Sequence, residues 1–119
     1  MTTSSDAEIA GLLQSFKPEI GAIAAEVVAA IRELRPDLAP RVRLGWGSVN
    51  FRHPAAGFVC AVFPMPDHVS LVFEHGRQLD SPLLQGEGRQ VRFIPFRPGD
   101  AVPRDELAIL FAEAIALRA

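Results

Sequence analysis

The sequence has little of several residue types that define well-known classes of small protein. It holds one cysteine, Cys60, which excludes an intramolecular disulfide framework and a zinc site built from several thiolates. Tyrosine is absent, and Lys17 is the single lysine among 12 basic residues. No apolar run approaches the ~20 residues that a membrane-spanning helix needs. A globular protein remains, and the 49% hydrophobic and 22% charged residues favour a soluble one.

The charge is nearly balanced overall but unevenly placed along the chain. Twelve basic residues oppose 14 acidic ones, and this net charge of −2 argues against a nucleic-acid partner. Residues 41–97 carry seven arginines and four acidic residues, whereas acidic residues predominate in 1–40 and 98–119. The first residues lack the basic segment and apolar core of a secretory signal. We therefore expect one cytoplasmic domain, residues 1–119, without a membrane partner.

Apolar periodicity predicts helices at the two ends of the chain. Ser5 and Glu8 have the spacing of a capping box, and the short apolar stripe after them stops at Pro18. Pro18 suits the first turn of a long second helix, in which apolar residues recur at three- and four-residue steps until Pro36. A last helix with the same periodicity is predicted to begin near Pro103.

The segment between these helices contains four runs with the alternation of β-strands, near 41–52, 57–64, 68–75 and 90–96. The tight connection 64–67 predicts an antiparallel hairpin of the second and third runs. In the first run the apolar positions change phase across Gly45-Trp46-Gly47, which predicts a bulge or kink within one strand. Helices packed on one face of an antiparallel sheet make an α+β two-layer sandwich, the fold class that we expect.

One ordered set of motifs covers nearly the whole chain, from about residue 9 to 117. It comprises Trp46-Gly47 and Phe51, the paired runs Phe58–Phe63 and His68–Phe73, and the segment Gly86–Ile94 before the last helix. In this order the motifs resemble the YdhG-like domain family of small bacterial proteins. The resemblance implies a frataxin-like fold with the terminal helices on one face of the sheet. It also implies intracellular iron binding or delivery, because one branch of the family is described as an iron chaperone for iron–sulfur cluster assembly.

The chain departs from the family pattern beside the first strand. The family usually has a tyrosine-Gly pair followed by proline, whereas this chain reads Trp46-Gly47-Ser48. An acidic residue often precedes that strand in the family, whereas here Arg41 and Arg43 stand there. Arginines in place of an acid work against cation binding at this position, so no iron ligand is transferred residue by residue.

An acidic stripe on the long helix is the candidate for cation binding. Glu19, Glu26 and Glu33 recur at seven-residue steps, which places them on one outward face. Each is about 10 Å from the next at a rise of 1.5 Å per residue, too far apart to share one ion. The stripe suits weak binding of iron at several positions or a basic partner. The alternative is an ordinary solvated helix face.

No pattern of catalytic residues is recognisable, and we predict that the protein is not an enzyme. Cys60 lies in an apolar strand, which indicates a small packing residue rather than an activated thiolate. His53, His68 and His75 lack metal-binding spacing. Within the predicted third strand, Glu74 and His75 are expected to point to opposite faces and therefore not to chelate together.

The candidate binding site is the sheet face opposite the helices. If every apolar strand face meets the helices, the other face collects a mixed polar set with Trp46 at its rim: Arg41, Arg43, His68, Glu74 and Arg92. The arginine fork donates two parallel hydrogen bonds to a carboxylate or phosphate. This surface predicts a small anionic ligand, a protein partner or a second copy of the chain. The alternative is a plain solvated sheet face.

Two functions therefore remain open from the sequence. The family resemblance implies a non-enzymatic protein that binds or delivers iron, the one cofactor it suggests. The residues themselves favour a module that binds a small anion or a protein through an arginine-rich sheet face.

Overall fold

The computed structural model describes residues 3–119, in which three α-helices accompany one five-stranded sheet. The helices are α1 (Asp6–Leu13), α2 (Pro18–Leu34) and α3 (Arg104–Ala116). The strands are β1 (Ala39–Arg43), β2 (Ser48–His53), β3 (Gly57–Pro64), β4 (Val69–Phe73) and β5 (Arg92–Phe96). A single 3-10 turn, Gly76–Gln78, follows β4.

The helices begin where the capping residues predict. The Ser5 hydroxyl oxygen accepts from the Glu8 backbone N–H at 3.2 Å, and the Glu8 carboxylate accepts from the Ser5 backbone N–H at 3.0 Å. This capping box satisfies two N–H groups at the start of α1. Pro18 occupies the first turn of α2, where a missing N–H costs no hydrogen bond. The three predicted helices are confirmed.

The strands follow one another across the sheet in chain order, and each is antiparallel to its neighbours. The α1, α2 and α3 helices pack on one face of this sheet, so the predicted α+β two-layer sandwich is confirmed. The predicted hairpin of β3 and β4 is also confirmed, since the Met65 N–H donates to the His68 carbonyl at 2.7 Å.

The prediction of one bulged strand over 41–52 is wrong, because the chain reverses at 44–47. The Trp46 N–H donates to the Arg43 carbonyl at 3.1 Å, and Gly47 adopts a φ of 65° that favours glycine. This turn pairs Val42 with Val49, so both valines face the core from separate strands. The change of apolar phase that the sequence contains therefore marks a hairpin turn.

Cross-strand pairing decides which side chains face the helices. One row of paired residues crosses all five strands on the core side: Val42, Val49, Val62, Leu71 and Ile94. The next core row includes Phe51, Cys60 and Phe73, and the Phe73 ring lies 5.8 Å from that of Phe111 on α3. The core is thus a layer between one sheet face and the helices.

Both edges of the sheet are closed by other parts of the chain. At β1 the buried Ser4 donates its N–H to the Pro40 carbonyl at 2.9 Å, and its hydroxyl oxygen accepts from the Val42 N–H at 2.8 Å. At β5 the backbone of Phe93 exchanges two hydrogen bonds with Gln85. Closed edges resist pairing with other chains. We call the sheet face away from the helices the open face; on it Arg41, Asn50 and Val72 are half-buried and Ala61 is buried.

None of the helices in residues 3–119 has the length and apolar character needed to cross a membrane.

We predict that the Cys60 thiol is unreactive in the folded protein. Cys60 is fully buried, which confirms its packing role, and burial raises the pKa of its thiol well above the ordinary range. Labelling with a chromogenic aromatic disulfide at pH 8 should be negligible in native protein and complete in guanidinium chloride. Rapid labelling of the folded protein at the same pH would contradict this packing role.

Candidate functional site

Three arginines of the β1–β2 hairpin lie on the open sheet face. Because side chains alternate along a strand, Arg41 and Arg43 face away from the core on either side of the core-facing Val42. Arg52 follows the buried Phe51 and faces the same way. We call Arg41, Arg43 and Arg52 the arginine patch.

The arginine patch extends along the hairpin. Arg41 and Arg43 are two residues apart on β1, and Arg52 on β2 lies opposite Ala39, two residues before Arg41. At about 3.3 Å per residue the three positions span about 13 Å. One small ion does not reach all three, whereas a ligand with several anionic groups does.

The arginine patch has no acidic counterpart in residues 3–119, where none of its members forms an ion pair. Arginines on the helix side differ in this respect. Arg32 pairs with Asp6, and Arg104 donates to the Glu33 carboxylate at 2.6 Å. The open face therefore keeps its positive charge, while part of the charge on the helices is neutralised.

Trp46 lies at the rim of the patch and holds Arg43 in place. The Arg43 guanidinium carbon is 5.0 Å from the centroid of the Trp46 ring, a cation–π distance. Trp46 is in the β1–β2 turn, and 64% of its surface is exposed. An exposed cation–π contact contributes roughly 0.5–1 kcal/mol, enough to bias the arginine rotamer without removing its hydrogen-bond donors.

A cleft of about 280 Å³ lies between Arg41 and Arg52, with His53 in its wall. The His53 Nδ1 accepts from the Ala55 and Ala56 N–H groups at 3.1 Å each. In the neutral ring the proton is therefore on Nε2.

The Asp37 carboxylate contacts Arg35 and the His53 ring of the cleft wall. The carboxylate accepts from the Arg35 side chain at 3.0 and 2.7 Å and lies 3.2 Å from the His53 Nε2. The hydrogen bonds from Arg35 hold the pKa of the Asp37 carboxyl below its ordinary value. The ion-pair partners of Asp37 are Arg35 and His53, and neither of them belongs to the arginine patch.

His68 shares the open face but is distant from the arginine patch. Its Nε2 lies 3.1 Å from the Ser70 hydroxyl, and its Nδ1 lies 2.7 Å from the Asp67 carboxylate. The hydrogen bond between His68 and Asp67 holds the pKa of the Asp67 carboxyl below its ordinary value. His68 precedes β4, three strands from β1, which corresponds to about 14 Å across the sheet. A single small ligand would not bridge His68 and Arg41.

The placement of Arg92 on the open face is wrong. Arg92 pairs with the core-facing Phe73 at the start of β5, and its backbone N–H lies only 2.8 Å from where a Cβ on Gly76 would be. Its guanidinium donates to the carbonyls of Gly88 and Val91 at 2.6 and 2.7 Å. The buried residues of β5 are Ile94 and Phe96, so the true alternation is opposite to the one that the sequence suggested.

Glu74 is likewise outside the patch, and the expectation that Glu74 and His75 point apart is wrong. Because β4 ends at Phe73, the chain turns there, and the carboxylate of Glu74 lies 3.8 Å from the His75 Nε2. Arg118, just beyond α3, approaches both residues, at 3.7 Å from Glu74 and 3.1 Å from His75.

The predicted acidic stripe on α2, which consists of Glu19, Glu26 and Glu33, is exposed. Glu33 is bonded to Arg104 of α3. In the part of the chain that the structure describes, no three His, Cys, Asp or Glu side chains are grouped so as to hold a metal ion. Iron binding stays a prediction of the family resemblance, without a converging ligand set to support it.

Arg52 is the residue of the patch that the sequence interpretation missed. The alternation Ser48-Val49-Asn50-Phe51-Arg52 contained the signal, because Val49 and Phe51 are the apolar members and Arg52 has the opposite parity. Locating the turn at 44–47 makes β2 a strand of its own. Arg52 then falls on the same face as Arg41.

Comparisons with protein-family models, with curated proteins and with solved structures find no match. The resemblance to the YdhG-like family therefore stays a prediction.

We predict that Arg35→Ala raises the pKa of Asp37 toward its ordinary value of 3.8, because Arg35 is the main group that stabilises the carboxylate. A depressed carboxyl pKa contributes stability above the ordinary pKa, and this contribution is lost as the pH falls through the folded-state pKa. The variant should therefore lose less stability than the parent between neutral pH and pH 2. NMR titration of the Asp37 side chain measures the shift. The control Arg89→Ala should leave it unchanged, and an equal shift there would refute the assignment.

Proposed function

We propose that the protein is a non-enzymatic binding module whose arginine patch holds a ligand with several carboxylate or phosphate groups. The observation that carries the proposal is the position of Arg41, Arg43 and Arg52 on one open sheet face without a carboxylate partner in residues 3–119. Guanidinium groups form charge-assisted, often bidentate hydrogen bonds with such anions.

The electrostatic balance supports an extended anion as the ligand. Two like charges about 7 Å apart repel by only about 0.6 kcal/mol in water, so the empty patch is tolerated. Each charge-assisted hydrogen bond contributes about 1.5–3 kcal/mol. A ligand that reaches two or three arginines therefore gains much more than the relief of their repulsion.

The rigidity of the hairpin is a second supporting feature. All five residues of β1 pair with β2, and Ser4 closes the outer edge of β1. Arg43 is further held by its contact with Trp46. A ligand therefore meets donors that are largely positioned beforehand, which lowers the entropy lost on binding.

The proposal is tested by calorimetry with tripolyphosphate and with a hexaglutamate peptide, which separate phosphate from carboxylate ligands. The double variant R41A/R43A should weaken binding of whichever probe binds by at least about tenfold, given about 1.5–3 kcal/mol for each hydrogen bond to a charged group. Trp46 is the only tryptophan and tyrosine is absent, so a change in intrinsic fluorescence on binding reports on the rim of the patch.

The matched control is R89A/R97A, which removes the same charge from two exposed arginines without ion pairs. Its affinity should stay within twofold of the parent. Absence of binding to both probes, or an equal loss in the control, would overturn the proposed function.

A further inference from the structure

Three large apolar side chains protrude at one end of the sheet. Leu44 is 79% exposed, Trp46 64% and Met65 40%, and together they are half of the six large apolar side chains that residues 3–119 expose. Leu44 and Trp46 are in the β1–β2 turn, and Met65 is in the β3–β4 turn. In an antiparallel sheet with strands in chain order, these alternate turns lie at the same end.

The two turns project side by side at this end of the sheet, each beyond its last strand pair. Their centres are two strand spacings apart, about 10 Å. We call this end, defined by Leu44, Trp46 and Met65, the apolar tips. Exposed apolar side chains with a neighbouring cation are the composition that peripheral attachment to a lipid interface uses.

Two cationic residues lie near the larger tip, Arg43 at the end of β1 and Lys17 just before α2. Arg43 immediately precedes Leu44 and contacts Trp46. Lys17 follows Phe16, and the Phe16 ring packs beside Gly47 of the β1–β2 turn. A Cβ added to Gly47 would lie 3.7 Å from the ring. Neither Arg43 nor Lys17 forms an ion pair within residues 3–119. The nearby acids are Asp67 in the second turn, which is hydrogen-bonded to His68, and Glu19, two residues after Lys17 in the first turn of α2.

We propose that the apolar tips insert into the headgroup region of an anionic lipid bilayer, with Arg43 and Lys17 against the phosphates. The inference rests on the proposed function, because Arg43 belongs to the arginine patch. It names an array of lipid headgroups as the ligand with several anionic groups. Tryptophan suits this depth because its ring is apolar and its indole N–H is polar. Peripheral attachment of this kind needs no membrane-spanning helix, and it departs from the expectation, drawn from the sequence, that the protein has no membrane partner.

Membrane attachment requires both the apolar tips and the neighbouring cations. The net charge of −2 opposes long-range attraction to an anionic surface, while cations close to that surface are attracted by the headgroups. Insertion of a leucine side chain adds the favourable transfer of its apolar surface out of water. The binding is therefore reversible and requires the apolar tips together with the flanking cations.

The test is co-sedimentation with vesicles of phosphatidylcholine and phosphatidylglycerol at 3:1, compared with pure phosphatidylcholine. We expect binding to the anionic vesicles, a blue shift of Trp46 emission and quenching by brominated lipid. L44A should lower the partition coefficient by about tenfold, because most of a leucine transfer free energy is lost. The control I109A removes an apolar side chain that is 63% exposed on α3 and should have little effect.

The outcomes separate this inference from the proposed function. L44A leaves the arginine patch intact and should bind the tripolyphosphate or hexaglutamate probe as the parent does. Vesicle binding that is absent while a free probe binds overturns the membrane inference alone. The membrane inference is also overturned if L44A and I109A lose vesicle binding equally, or if the parent binds neutral and anionic vesicles equally. Absence of binding to vesicles and to both free probes overturns the inference and the proposed function together.

Discussion

The burial of one sheet face beneath the helices is the constraint on which the rest of this structure depends. Phe51, Phe73 and Phe111 are buried at its centre, and cross-strand pairing aligns the core residues of the five strands. A slip of one residue would turn every core side chain of a strand to the open face. Exposure of one buried Leu or Val costs about 1.5–3 kcal/mol, so the register is strongly favoured.

The same constraint places the arginine patch. Because side chains alternate, the inward position of Val42 and Phe51 turns Arg41, Arg43 and Arg52 outward. The patch is therefore a geometric consequence of the core and belongs to a rigid hairpin rather than to a loop. Function at such a site depends on the identity of outward residues, which the fold leaves free to vary.

The near-zero net charge conceals a molecule whose two layers differ. On the helix side, arginines pair with acidic residues, as Arg104 does with Glu33. On the hairpin face the arginines have no such partners in the described chain. A ligand that approaches the sheet meets positive charge, although the whole chain carries −2. The apolar tips lie at one end of this face, next to Arg43, so charged and apolar contacts are available together.

The sequence predicted features that depend on neighbours along the chain. The capping box of Ser5 and Glu8 and the position of Pro18 place two helix starts, because caps involve residues within one turn. The burial of Cys60 and the α+β class followed from apolar patterning in the same way. Of the candidate binding residues, Arg41, Arg43 and Trp46 come together as expected.

Other features were decided by contacts between residues that are distant in the sequence. Glycines at 45 and 47 are compatible with a bulge or a reversal, and the pairing of Val42 with Val49 selected the reversal. Arg92 lies on the core side of β5 because it shares the strand parity of the buried Ile94 and Phe96. Local periodicity by itself determined the helices and the buried cysteine. Only the tertiary structure decided which arginines share a surface, since strand parity is set by pairing across the sheet.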